Sequence, residues 1–182
     1  MIILNHPPAY KVGTRVLMLK GRHKDGMHDQ RTVLRVSHSP DEFDNWLSEL
    51  HSIAQDGERI YATAGARDVE RAIRLFKERQ LDADYDRDTP HFYRHLNSRW
   101  CSCLMAPKAQ AEKLWLFDCD SVAEIDHVRD ELKAHYTHPS IKPYWYWSKA
   151  GCHCIVAPFN RSLISLEAQG HLVTNPVMLW MY

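Results

Sequence analysis

The chain has no apolar run approaching membrane-spanning length, no surplus of charge of either sign, and no spaced cysteine framework of the kind that staples small secreted domains. The first absence argues against a membrane partner. The second leaves 23 Lys plus Arg against 23 Asp plus Glu, so overall basicity does not advertise nucleic acid, although a cationic face beside an acidic pocket would cancel in that sum. The third leaves five cysteines, an odd number, four of them in the pairs Cys101/Cys103 and Cys152/Cys154, and points to reduced thiols. The opening MIILNHPPAYKVG has no basic leader region and its apolar stretch stops at Asn5, so the expected location is the cytoplasm. No repeat or low-complexity segment is present.

What is present reads as an α/β (α+β) chain, 182 residues long, sufficient for one compact unit or two packed modules. TRVLMLKG and RTVLRVS are β-rich runs flanking a polar, Gly-containing segment, as in a hairpin. Ser39, Pro40 and Glu42 then form a capping-box start, and Phe43, Trp46, Leu47, Leu50 and Ile53 recur at helical spacing. RIYATA reads as a strand, and ARDVERAIRLFKERQL as a helix packing Val69, Ile73 and Phe76 while Arg67, Arg71, Arg74 and Lys77 make its other sides positive. Residues 82–111 look polar, then aromatic and irregular. They suggest a boundary between an N-terminal α/β module over 1–110 and a second module over 111–182.

The second module is more legible. EKLWLFDCD reads as a strand, and Ser121 with Glu124 opens a helix packing Ile125, Val128 and Leu132. IKPYWYWS and CHCIVAPF follow as a hairpin turning at Lys149-Ala150-Gly151, then a short helix near 161–168 and a final strand VMLWMY. The order β-α-β-β-α-β is ferredoxin-like or RRM-like: an antiparallel sheet with helices on one face and the other free for a site.

Two stretches carry the chemistry. In WLFDCDS, alternation along a strand points Asp118 and Asp120 to one face and Phe117 and Cys119 to the other. Two carboxylates so close repel unless a cation lies between them, and hard oxygen donors suit Mg²⁺ or Mn²⁺. The bland alternative is a strand end whose acids face solvent or cap the next helix. In SKAGCHCIV, His153 alternates with Cys152 and Cys154, so if the cysteines face the helices the histidine shares the face of the two acids. Ser148, Lys149 and Gly151 would then lie in the adjoining turn, within reach of phosphate oxygens.

At these residues the chain resembles the archaeo-eukaryotic primase (primase-polymerase) superfamily, and small phage-type members in particular. LFDCD is similar to its first motif, an apolar strand ending in Asp-x-Asp, and SKAGCHCIV to its second, a Ser-x-His or Gly-x-His hairpin strand. The resemblance covers most of 59–182 in arrangement and about fifteen residues in specific motif; if a phage encodes the chain, the expected location is the host bacterial cytoplasm. It implies a nucleotidyltransferase of the DNA or RNA primase or polymerase type, acting in DNA replication on a nucleoside triphosphate and a DNA or RNA strand. Asp118 and Asp120 would hold the divalent metal, His153 would be both catalytic and nucleotide-binding, and Ser148, Lys149 and Gly151 would bind nucleotide. The family's third motif supplies a further carboxylate on a later strand. Downstream of His153 this chain has no Asp and a single Glu, Glu167 in SLEAQG. Either Glu167 is the third metal ligand, or Asn175 occupies the carboxylate's place.

That departure sustains an alternative, a catalytically degenerate phage-type accessory protein binding nucleic acid or a host or replication protein. In it Tyr144, Trp145, Tyr146 and Trp147 would offer stacking surfaces, half of them on the open face, against the commoner role of an aromatic strand as core. A separate expectation is structural zinc held by the two Cys-x-Cys pairs, against the commoner role of cysteine as a small buried apolar residue.

Overall fold

The computed structural model describes residues 13–21, 32–135, 143–148 and 151–181. The first half of the chain supplies β1 (Arg15–Gly21), β2 (Thr32–Ser37), α1 (Pro40–Ile53), β3 (Glu58–Thr63), α2 (Val69–Tyr85), α3 (Thr89–Arg94) and α4 (Leu96–Met105). The second half supplies β4 (Trp115–Cys119), α5 (Val122–His135), β5 (Tyr144–Trp147), β6 (Cys152–Val156), α6 (Leu166–Gly170), β7 (Leu172–Val173) and β8 (Val177–Met181). The described strands form two four-stranded antiparallel sheets, in the orders β2-β1-β3-β8 and β5-β6-β4-β7.

Alternation along β1 sets up the first sheet's two cores. Leu17 and Leu19 join Ile60 and Ala62 on one face, where Phe43 and Leu50 of α1 cover them. Val16 faces the other way, toward Ala72 of α2 and Cys103 and Leu104 of α4. Helix α1 begins where expected, with the Ser39 hydroxyl accepting the Glu42 N–H at 3.2 Å, while the Glu42 carboxylate accepts the His38 N–H at 2.6 Å. Its last apolar residue, Ile53, is more exposed than a core position would be.

Helix α2 is turned relative to expectation. Ala72, Leu75 and Phe76 face the core, and Ile73 is exposed. Asp68 caps the helix by accepting the Arg71 N–H at 3.0 Å, so Arg67 lies ahead of it and is buried. Desolvation, reinforced by the charge of Arg15, pushes the Arg67 guanidinium down to about 10. Residues 82–111 are largely helical rather than irregular, with Phe92 of α3 and Trp100 of α4 both packing edges against Phe76.

The second sheet has the ferredoxin-like strand order, with α5 and α6 on one face. Its fourth strand is the two-residue β7. The terminal apolar run expected in that place is β8, which crosses to the first sheet and pairs with β3. An apolar strand carries no label for the edge it will join, and here the bare edge of β3 takes it. The chain after residue 111 is therefore woven into the first sheet.

Candidate active site

Strand β4 lies between β6 and β7, and its register with β6 sets Asp118 directly opposite His153 and Cys119 opposite Cys152. Directly opposed residues share a sheet face. Cys119, Cys152 and Cys154 are fully buried with Phe117 under Ile125 and Val128 of α5 and Ala168 of α6. Asp118 and His153 consequently share the opposite face, as alternation required. Burial pushes the Cys119 thiol up to about 12 and Cys152 to about 11, so these groups serve as packing. Cys101 and Cys103 belong to α4 in the other half of the fold, and Cys103 packs in the core beneath β1. The four thiols of the two pairs are not gathered into one site.

Asp118 Oδ1 lies 3.0 Å from His153 Nε2, and His153 Nδ1 lies 2.8 Å from the Tyr146 hydroxyl. The strands dictate this line, since β5 places Tyr146 opposite His153 just as β4 places Asp118 there. Tyr146 is 1% exposed and His153 8%, whereas the Asp118 side chain is 55% exposed. The line thus runs from the interior to solvent. Burial first, and the negative charge of Asp118 second, push the Tyr146 phenol far above its ordinary value, which keeps it neutral.

This face is not bare. Tyr146 packs with Leu116, Ile155 and Ala64, the last contributed by the segment that follows β3. Trp145 is buried on the helical side and Trp147 is partly exposed. Of the four aromatics, Tyr144 and Tyr146 share the face of His153, and Tyr146 is sealed from any base.

Asp120 is exposed just beyond the end of β4. Its backbone N–H donates to the Glu124 carboxylate at 2.8 Å, while the Ser121 hydroxyl accepts the Glu124 N–H at 3.3 Å. The Asp120 N–H is the main reason Glu124 is held below the usual carboxylate range, with His171 Nδ1 3.6 Å away adding a smaller effect. The capping box therefore anchors the turn that carries Asp120. Across from it the β5–β6 turn closes, with Ser148 N–H donating to Gly151 O at 3.0 Å and Gly151 N–H to the Ser148 hydroxyl at 3.2 Å. A Cβ at Gly151 would collide with Cys119 O and lie 2.9 Å from Asp120 Cα. Ser148 and Gly151 thus bring the strand ends against Asp120, and they hydrogen-bond to each other. Lys149 lies outside the described residues.

Glu167 does not join this group. Ser165 caps α6 by accepting the Ala168 N–H at 3.2 Å, Ala168 turns into the core, and Glu167 points out on the helical side, 3.9 Å from His127 Nε2. Asn175 is engaged elsewhere as well. Its Oδ1 accepts from Arg67 Nη1 at 3.0 Å and Gln110 Nε2 at 2.5 Å, and its Nδ2 donates to Met105 O at 3.0 Å. Among the described residues no group of three or more His, Cys, Asp or Glu side chains is placed to hold a metal ion. Asp118 and Asp120 are exposed carboxylates two residues apart at the end of β4, and they are the residues that would hold Mg²⁺ or Mn²⁺.

Sequence reasoning offers Tyr146 as a stacking or core aromatic and misses its hydrogen bond to His153. The signal was available: counting back from a turn closed by Ser148 and Gly151 sets Trp147 opposite Cys152 and Tyr146 opposite His153. No known family model matches the chain, and no curated protein matches it. Among the described residues no helix is long and apolar enough to cross a membrane.

Proposed function

We propose that the chain is a primase-polymerase-like nucleotidyltransferase module that binds a nucleoside triphosphate and a nucleic-acid strand through a divalent cation at Asp118 and Asp120. The observation that supports it is the pairing of Asp118 with His153 at 3.0 Å across β4 and β6, at a strand end where Asp120 and the Gly151 turn converge. Asp118 and Asp120 supply the charge that binds the cation. A Mg²⁺ or Mn²⁺ held by these two carboxylates would supply positive charge to offset that of the triphosphate. Ser148 and Gly151 fix the turn beside the triphosphate, and Lys149 provides its positive charge. DNA replication in a bacterial host is the setting this reading implies.

A second reading, a degenerate accessory protein that binds nucleotide or strands without joining them, draws on the position of Glu167 beside His127 on the helical side. With two acids rather than three, the site suits a single cation, and activating an attacking hydroxyl normally needs more protein ligation.

Binding of a labelled nucleoside triphosphate with and without Mn²⁺ tests the shared premise. Binding should depend on Mn²⁺ and fall at least tenfold in Asp118→Asn, roughly the loss of one metal–carboxylate contact. Binding indifferent to both would reject the site. Extension of a labelled primer then separates the two readings: extension abolished in Asp118→Asn establishes the enzyme, and binding without extension establishes the accessory protein.

A further inference from the structure

His153 is the residue whose chemistry is most constrained by its surroundings, because both ring nitrogens are engaged within the protein. Nε2 lies 3.0 Å from Asp118 Oδ1 and Nδ1 lies 2.8 Å from the Tyr146 hydroxyl. The Tyr146 and His153 rings meet edge to face, 5.1 Å between centroids and 88° between planes. Leu116, Ile155 and Ala64 close around Tyr146. An ionised carboxylate only accepts hydrogen bonds, so Nε2 must carry the proton it donates to Asp118. In a neutral imidazole the other nitrogen then only accepts, and the phenol must donate to it.

We propose that His153 and Tyr146 are positioning residues for Asp118: Nε2–H donates to the Asp118 carboxylate and holds it in place, while the Tyr146 hydroxyl, donating to Nδ1, anchors the ring in the orientation that this bond needs. The proposal rests on the reading that Asp118 binds a cation, and it assigns His153 a different task from touching phosphate. To reach a phosphate oxygen the ring would have to release Asp118 or leave the buried Tyr146 hydroxyl without its partner. A histidine donating to a metal-binding carboxylate sets the orientation and basicity of that ligand, much as outer partners do for metal-bound histidines. Tyr146 extends the line one residue further into the core, where it cannot be replaced by water.

Two measurements test this. In the metal-free wild-type chain labelled with ¹⁵N-histidine, long-range ¹H–¹⁵N correlation spectra should show His153 as the Nε2–H tautomer, its signals identified by their loss in His153→Gln. This reading needs neither metal nor an altered Tyr146, and an Nδ1–H tautomer would overturn the proposal. Tyr146→Phe keeps the ring in its pocket and removes the hydroxyl. It should leave His153 as the Nε2–H tautomer, which Asp118 still requires, but loosen the ring and weaken affinity for Mn²⁺ alone about tenfold, in the range of outer-partner substitutions. Unchanged Mn²⁺ affinity with weakened triphosphate affinity would instead make His153 a phosphate contact and defeat the proposal. If wild-type protein binds no Mn²⁺, the cation reading itself fails, and with it the role assigned here, even if the tautomer is as expected.

Discussion

Gly151 shows how much a site can depend on one missing methyl group. Its backbone φ is not in the left-handed region, so conformational freedom is not the reason for glycine there. The reason is proximity: any Cβ would strike Cys119 O and crowd Asp120 Cα, both backbone atoms of the strand end that carries the acids. Gly151→Ala must therefore push the β5–β6 turn away from Asp120. It should lower stability by about 1–3 kcal/mol, the usual cost of overpacking, and weaken Mn²⁺-dependent nucleotide binding as well. Gly170 provides the control, since a Cβ there meets nothing within 4 Å. Gly170→Ala, near the end of α6, should be neutral or stabilising by up to about 1 kcal/mol. Urea midpoints of the two variants measured side by side check the contrast. Equal shifts would mean that close packing at Gly151 is not what distinguishes the two.

At the scale of elements, α5 ties helix capping to the site. Glu124 accepts the Asp120 N–H, and that bond holds its carboxyl below the ordinary 4.5. A carboxyl with a lowered folded pKa stabilises above its unfolded value and loses that contribution as pH falls through the folded one. Wild type should therefore exceed Glu124→Gln in urea midpoint at neutral pH, and the difference should shrink as pH drops below about 4.5. A gap that stays constant into acid would show that the charge of Glu124 is not what matters. Elements with strong local signals were legible from sequence. Ser39 and Ser121 marked helix starts, and the alternation through Asp118 and His153 correctly sorted acids from thiols. Signals failed where small or charged residues did the packing. Ala72 does not advertise a core position, and Ile73 does, so the sequence pattern alone rotates the apolar face of α2 away from its true position. Helices α3 and α4 lay hidden in 82–111 because α3 is a six-residue helix burying Phe92, and α4 buries two cysteines with Leu104.

At the scale of the whole molecule, local pattern could not reveal that the chain returns to its first sheet. β8 reads equally well as an edge of either sheet, and only the segment before it decides. There Pro176 O accepts the Ala64 N–H at 3.2 Å, and Asn175 bonds Arg67, Gln110 and Met105 at once. By sequence Arg67 looks like one charge of a basic helix face, yet it is buried here, with its Nε lacking a hydrogen-bond partner among the described residues. Such a cation depends heavily on the acceptors it does have. Asn175→Ala would take the Asn175 acceptor from Arg67 Nη1 and Gln110 Nε2 and the donor from Met105 O. A loss of about 3 kcal/mol is expected, as when one partner of a buried charged group is removed. Because this segment connects β7 of one sheet to β8 of the other, the loss should be felt by both. Tryptophan fluorescence and far-UV circular dichroism should report one coincident urea transition, in wild type and variant alike, displaced to lower urea in the variant. Two separated transitions, or a shift confined to one signal, would show that the halves unfold independently and that Asn175 does not join them.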